Sequence, residues 1–373
     1  MKKVYINQAN CISPLGFGLE ANWTAIQEGK TGIARVPQLG SIEQFYAARI
    51  DDDQLNWAHR AWNQSKADDS RLEKMLFLAL DPLVRTNGVG SDTALIISTT
   101  KGNIGFLKTA DPTQADLNLL AAKIGERYGF KTQPIIVCNA CVSGVMALSV
   151  AKRLLQMELF ASAYVVAADE ISEFVVSGFA SFQAISATPC KPYDKDRSGV
   201  SLGEAAAAVY IATEPAAHAI QILGDASIGD ANHISGPSRT GEGLYQSIER
   251  ALAEAQCAGT AIDMISAHGT ATLFNDEMEA IAFNRLGMQH IPLHSLKGYY
   301  GHTLGASGLL EVVVAMEAMH RSRQLCCKGF EEIGTSVALN IATQAVQQPI
   351  NRVLKTASGF GGTNSAIVLE KAY

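Results

Sequence analysis

Three residues of this chain have types and neighbours suited to chemistry: Cys141, His268 and His302. Cys141 stands in Cys138-Asn139-Ala140-Cys141-Val142-Ser143-Gly144, between an apolar, β-branched stretch at 134–137 and an Ala-, Leu- and Met-rich run at 145–155. The first reads as a strand. The second reads as a buried helix ending in Lys152 and Arg153. A thiol at that joint sits at the positive end of a helix beside unpaired N–H groups, which favours its thiolate. The small residues around it allow a sharp turn. His268 lies in Ser266-Ala267-His268-Gly269-Thr270-Ala271-Thr272, with Asp276 and Glu279 downstream. His302 lies in Lys297-Gly298-Tyr299-Tyr300-Gly301-His302-Thr303, followed by Glu311. Each histidine falls just beyond an expected strand, and α/β proteins assemble sites from loops at the ends of parallel strands. One convergent site is therefore expected.

Blander readings stand beside this one. A cysteine in such a stretch is commonly a small buried hydrophobe, and a lone loop histidine is commonly a surface residue. Cys138 and Cys141 also form a C-x-x-C pair, a redox or zinc signature. A structural zinc needs further ligands at suitable spacing, and the adjacent Cys326 and Cys327 supply them poorly. Cys138, ahead of the turn, is expected in the core.

The elements that position these residues alternate along the chain. Strands are expected at 4–12, 93–98, 163–168, 207–212, 219–223, 263–267, 352–357 and 365–370. Helices are expected at 20–27, 54–80, 117–128 and 241–256, the second ending before Pro82. Near Glu214-Pro215 the strand–helix pattern restarts. That predicts α/β layers with helices covering sheets, in an N-terminal half at 1–213 and a C-terminal half at 214–373.

Composition excludes several classes. The 373 residues are 47% hydrophobic, enough for a large core, and 30 basic against 36 acidic residues give a net charge of −6. No global basic field recruits nucleic acid. Seven cysteines without a framework pattern point to a reducing compartment. No apolar run reaches membrane-spanning length, and the N-terminal residues lack a signal-peptide core, so a cytoplasmic protein is expected.

Six blocks, in order, resemble the β-ketoacyl-acyl carrier protein synthases. They are Ser13-Pro14-Leu15-Gly16, Asn139 to Gly144, Pro192-Tyr193-Asp194, Ala267-His268-Gly269-Thr270, Lys297 to Gly308, and Gly359-Phe360-Gly361-Gly362-Thr363-Asn364. The resemblance implies a thiolase-like fold of two similar halves in α-β-α-β-α layers. It implies decarboxylative condensation of an acyl chain held on Cys141 with malonyl-acyl carrier protein. His268 and His302 would bind the malonyl thioester oxygen, with Lys297 and Glu311 behind them. Phe360 would gate the pocket and lend its N–H to an oxyanion hole. Thr270, Thr272, Gly361 and Gly362 would contact substrate. No resident cofactor or metal is implied, since 4'-phosphopantetheine arrives on the carrier. The partners implied are acyl carrier protein and a second synthase-like subunit, identical or related. Lys66, Arg71 and Lys74 resemble a carrier-docking helix in position.

Departures from the family pattern include Asn139 before Ala140, Leu273-Phe274, and Gly298-Tyr299-Tyr300-Gly301. The compact segments at 103–132 and 187–191 leave chain length and acyl preference open, and the compact length with Thr99-Thr100-Lys101-Gly102-Asn103 resembles synthases of aryl-polyene and flexirubin-type pigment pathways. Two related alternatives are a chain-length-factor partner, which would lack the nucleophile, and a thiolase or coenzyme A-dependent condensing enzyme.

Overall fold

Runs such as Thr93–Ser98 and Ser162–Asp169 are buried at every residue, because helices cover both faces of the sheet they build. The computed structural model describes residues 2–62, 65–230, 232 and 236–372. From Tyr5–Ser13 outward come Ala205–Ala212 and Ser162–Asp169, each antiparallel to its predecessor, then Thr93–Ser98 and Ile135–Val137, each parallel. From Ile220–Gly229 outward the same pattern repeats. Thr363–Lys371 and Arg352–Ser358 are antiparallel, then Met264–Ser266 and Leu293–His294 parallel. The two sets meet where Tyr5 and Ile6 pair with Gln221 and Ile220.

Between the sets lie two buried helices, Ser143–Gln156 and Ser307–His320. Their approach depends on glycine. A Cβ on Gly144 would stand 2.6 Å from the Leu309 backbone nitrogen, and one on Gly308 2.8 Å from that of Val145. Leu148, Leu309 and Val313 fill the same core, each side chain contributing about 1.5–3 kcal/mol by its burial. Arg71–Asn87 and Leu117–Tyr128 cover the outer face of one set, Glu242–Ala255 and Leu273–Arg285 that of the other. The layers are α-β-α-β-α. Among the described residues no helix is long and apolar enough to cross a membrane.

The expected helix at 54–80 is two helices, Asp52–Arg60 and Arg71–Asn87, and residues 63–64 of that stretch lie outside the described residues. Capping chemistry outweighs the apolar period there. Ser70 and Glu73 form a reciprocal capping box that starts the second helix. Asp69, just before it, ties the gap to His59 and Arg127. Pro82, expected to end the helix, lies inside it. Its missing N–H leaves the Leu78 carbonyl without a helical donor, and the Asn10 amide takes over, donating to the Leu78 and Ala79 oxygens at 3.2 and 3.0 Å. Cys138 is exposed rather than in the core, because the strand ends at Val137. A hairpin of Ile33–Leu39 and Ile42–Ala48, carried by no clear sequence period, adds a further small sheet.

Candidate active site

The turn before Cys141 is held by one hydroxyl. Ser143, the first helical residue, donates to the Ala140 carbonyl at 2.6 Å and accepts from the Asn139 N–H at 2.8 Å. Ala140 adopts a left-handed φ of 43°, which swings the following residue off the strand line. Cys141 is buried at the helix start, with its Sγ 3.0 Å from His302 Nε2. The Phe360 N–H faces the same sulfur and lowers its pKa. The thiolate expected from the helix terminus is not the resting form: burial pushes the thiol up to about 11, outweighing the pull of Lys297 and Lys101. Ionisation therefore has to be coupled to the neighbouring imidazole.

His302 is held from behind. Its Nδ1 lies 3.0 Å from Ser307 Oγ, itself 3.0 Å from Thr303 Oγ1. A hydroxyl can donate or accept, so either tautomer of the ring is supported. The His268 ring stands edge-to-face with His302, centroids 5.2 Å apart, and its Nδ1 has no hydrogen-bond partner. Burial, then the charges of Lys297 and Lys355, hold both imidazoles well below the usual histidine value, so both are neutral at pH 7.

A buried charge cluster fixes the histidine loops. Lys297 Nζ donates to the His268 carbonyl at 2.6 Å and to Glu311 Oε1 at 2.8 Å. Lys355, also fully buried, lies 2.6 Å from Glu311 Oε2. Burial alone would raise the Glu311 carboxyl, but the two ammonium groups hold it below the ordinary glutamate value. Glu279 accepts from the His268 and Gly269 N–H groups at 2.9 and 2.6 Å, and Asp276 from the Thr270 N–H at 3.0 Å.

These groups border a cavity of about 360 Å³. Cys141, His268, His302, Thr270, Thr272 and Phe360 all line it. The Thr270 and Thr272 hydroxyls share a 2.8 Å hydrogen bond. The expected Gly-rich loop is the turn of a hairpin. There Gly362 passes the Asp230 carbonyl so closely that a Cβ would sit 2.0 Å from it, and Gly362 borders the cavity. Gly361 is exposed beside the cavity rather than lining it. Phe360 stacks on Phe179 at 5.5 Å and meets Phe182 edge-on at 5.6 Å, an aromatic cluster across the mouth.

Lys355, Ser307 and Phe179 were missed in the sequence. A lysine inside an apolar strand run, Arg352–Ser358, was the one available signal. The carrier-docking expectation is corrected for Arg71. Its guanidinium is paired with the buried Glu204 and with Asp52, and bonds the Ile50 carbonyl, so it is a structural ion pair and not a free basic surface. Lys74 donates to Asn56 at 2.9 Å, and Lys66 alone of the three is exposed.

Comparison with solved structures assigns the architecture to the thiolase-like ketosynthases. A ketosynthase of Xenorhabdus doucetiae, solved in complex with its chain length factor, superposes with a TM-score of 0.89 at 25% identity, over 100% of this chain and 98% of that one. Residues 55–217 match the β-ketoacyl synthase N-terminal domain and residues 220–325 its C-terminal domain. The chain belongs to the β-ketoacyl synthase family and is a condensing acyltransferase. Similar relatives are 3-oxoacyl-[acyl-carrier-protein] synthase 2 of Rhizobium meliloti, 26% identical over 100% of this chain and 99% of its own, and a polyketide β-ketoacyl synthase 1 of Streptomyces cyaneus. The latter is 27% identical over 99% and 98%.

Proposed function

We propose that the protein makes a 3-oxoacyl thioester by decarboxylative condensation on acyl carrier protein, with Cys141 as the acyl acceptor. The observation that carries this reading is the 3.0 Å approach of His302 Nε2 to the Cys141 sulfur in a cavity that His268 also lines. In the first half-reaction the thiol gives its proton to His302 Nε2 as sulfur attacks the acyl thioester. The Cys141 and Phe360 N–H groups hold the tetrahedral oxyanion. The carrier's pantetheine sulfur leaves and takes that proton, and an acyl-Cys141 thioester remains.

In the second half-reaction both neutral imidazoles donate N–H to the thioester oxygen of a malonyl unit. Its carbon–carboxylate bond breaks and releases carbon dioxide, and the electron pair becomes an enolate. That carbon attacks the acyl group, a carbon–carbon bond forms, and the Cys141 thiolate leaves and takes a proton from solvent water. Lys297 and Glu311 keep His268 in place. Thr270 and Thr272 bond the pantetheine arm, Phe360 moves between the acyl and malonyl sides, and Gly361 and Gly362 let its loop do so.

The chain itself divides near Glu214, at 1–213 and 214–373, so that nucleophile and histidines come from different halves. It works in the cytoplasm without a resident cofactor. Its partners are an acyl carrier protein and a second synthase-like subunit. The chain length factor seated on the Xenorhabdus relative supports the latter. A chain-length-factor role for this chain itself is disfavoured by the intact Cys141, His268 and His302. The test is mass spectrometry of the protein after exposure to a panel of acyl-carrier proteins, followed by malonyl-carrier protein. An acyl mass on the Cys141 peptide, discharged as a 3-oxoacyl product, is expected. Acylation elsewhere, or none with any acyl donor, would overturn the reading.

A further inference from the structure

We propose that Lys355 is a positioning residue for the condensation, an internal tethered cation that fixes the chain entering His268 and leaves the site with a positive charge where negative charge develops. The Lys355 side chain starts on the strand Arg352–Ser358 and is fully buried. Its ammonium sits in a cage of four oxygens: Thr356 O at 2.5 Å, Glu311 Oε2 at 2.6 Å, Ser266 O at 3.1 Å and Ala267 O at 3.3 Å. An ammonium taken out of water is tolerated only when paired and hydrogen-bonded to this degree.

The position of the cage carries the argument. Ser266 and Ala267 are the two residues before His268, and the His268 carbonyl is held by Lys297. Three consecutive carbonyls are thus gripped by two lysines, while each oxygen of Glu311 faces one of the two ammoniums. The two ammoniums, paired with the Glu311 carboxylate, set positive charge behind the imidazoles, and the Glu279 carboxylate lies under the His268 loop. The other titratable groups that interact with Lys355 are Glu279, His268, His302 and His294. The enolate and the leaving thiolate both form in front of this cluster, where a fixed charge in a dry site acts strongly. Because the cage is made of oxygens suited to a monovalent cation, removing the tether creates a place for one.

This inference rests on the condensation reading, so the experiment measures the two half-reactions separately. Lys355→Met removes the charge at nearly constant volume, and Lys355→Ala opens the cage. Both are assayed for Cys141 acylation and malonyl decarboxylation, with melting temperature as the check on folding, in ammonium chloride, potassium chloride and tetramethylammonium chloride. Lys355→Met is expected to lower the decarboxylation kcat about 10-fold or more with KM nearly unchanged, and to keep acylation within about 3-fold. Lys355→Ala is expected to lose the same step and regain part of it in ammonium or potassium, but not in the bulkier tetramethylammonium. Parental decarboxylation in both variants overturns the proposal. So does equal loss of both half-reactions that no small cation restores, which marks a core-filling role. A parent protein that forms no acyl-Cys141 would instead overturn the reading of the site.

Discussion

The two halves deliver their chemical groups by different physical means. In the first, Cys141 is placed by local turn geometry: a left-handed Ala140, a hydroxyl from Ser143 and a helix start, with the Phe360 N–H facing its sulfur from the other half. In the second, the His268 loop is placed by buried charge, with Glu311 between Lys297 and Lys355 and with Glu279 beneath it, while His302 is backed by the Ser307 hydroxyl. The difference suits the chemistry. A nucleophile needs a fixed trajectory, which local geometry supplies. In the proposed reaction two neutral imidazoles face growing negative charge, and a fixed electrostatic background serves them.

The largest expected effect breaks the first half's contribution. Cys141→Ala removes the proposed acyl acceptor, so acyl-enzyme formation should vanish by mass spectrometry while the fold survives. A variant that still acquired an acyl mass on the same peptide would show that another group does the work.

The histidines come next and sharpen the comparison, since of His268 and His302 it is His302 that bonds the sulfur. His268→Ala and His302→Ala should each lower malonyl decarboxylation about 10²–10³-fold, the usual effect of losing one positioned donor. Single-turnover acylation should slow in His302→Ala and stay near parental in His268→Ala. Equal acylation rates in the two variants would remove His302 from the first half-reaction.

Much of this architecture was legible because it is written in local signals. The β-branched stretch before Cys141, the alternation of strands with helices and the small-residue loops around the histidines all depend on neighbours in sequence. What was illegible depends on contacts across the chain. Arg71 reads as surface charge until Glu204 is seen to reach it. Lys355 reads as an ordinary strand lysine until Glu311 and three carbonyls close around it. The Cys141 thiol reads as acidified from its helix position, whereas its burial, set by the other half, raises it.

The charge-built half should also carry a pH dependence through His294. His294, beside Lys355 and Glu311, is buried with neither ring nitrogen hydrogen-bonded, and burial lowers it to about 4. In the unfolded chain it binds a proton near pH 6.5, so the unfolded state holds more protons between these values and stability falls as pH drops through that window. Urea unfolding at pH 7 and pH 5 should show the parent losing about 2 kcal/mol more than His294→Leu. Parallel losses in the two proteins would mean that His294 is protonated in the fold.

The smallest effect tests whether the outer helix of the first half depends on its sheet. Arg71–Asn87 contains Pro82, whereas the corresponding outer helix of the second half, Glu242–Ala255, has no proline. Only the first therefore needs a donor from outside. Asn10 is that donor, reaching Leu78 and Ala79 from the strand Tyr5–Ser13. Asn10→Ala should leave the Leu78 carbonyl buried and unpaired, at a cost of about 1–2 kcal/mol. Pro82→Ala restores a backbone N–H to that carbonyl, so the same Asn10→Ala change should cost measurably less in its presence. Urea denaturation of the parent, the two single variants and the double variant gives this coupling directly. Additive losses would mean that Asn10 stabilises the strand alone and that the helix tolerates its proline without help.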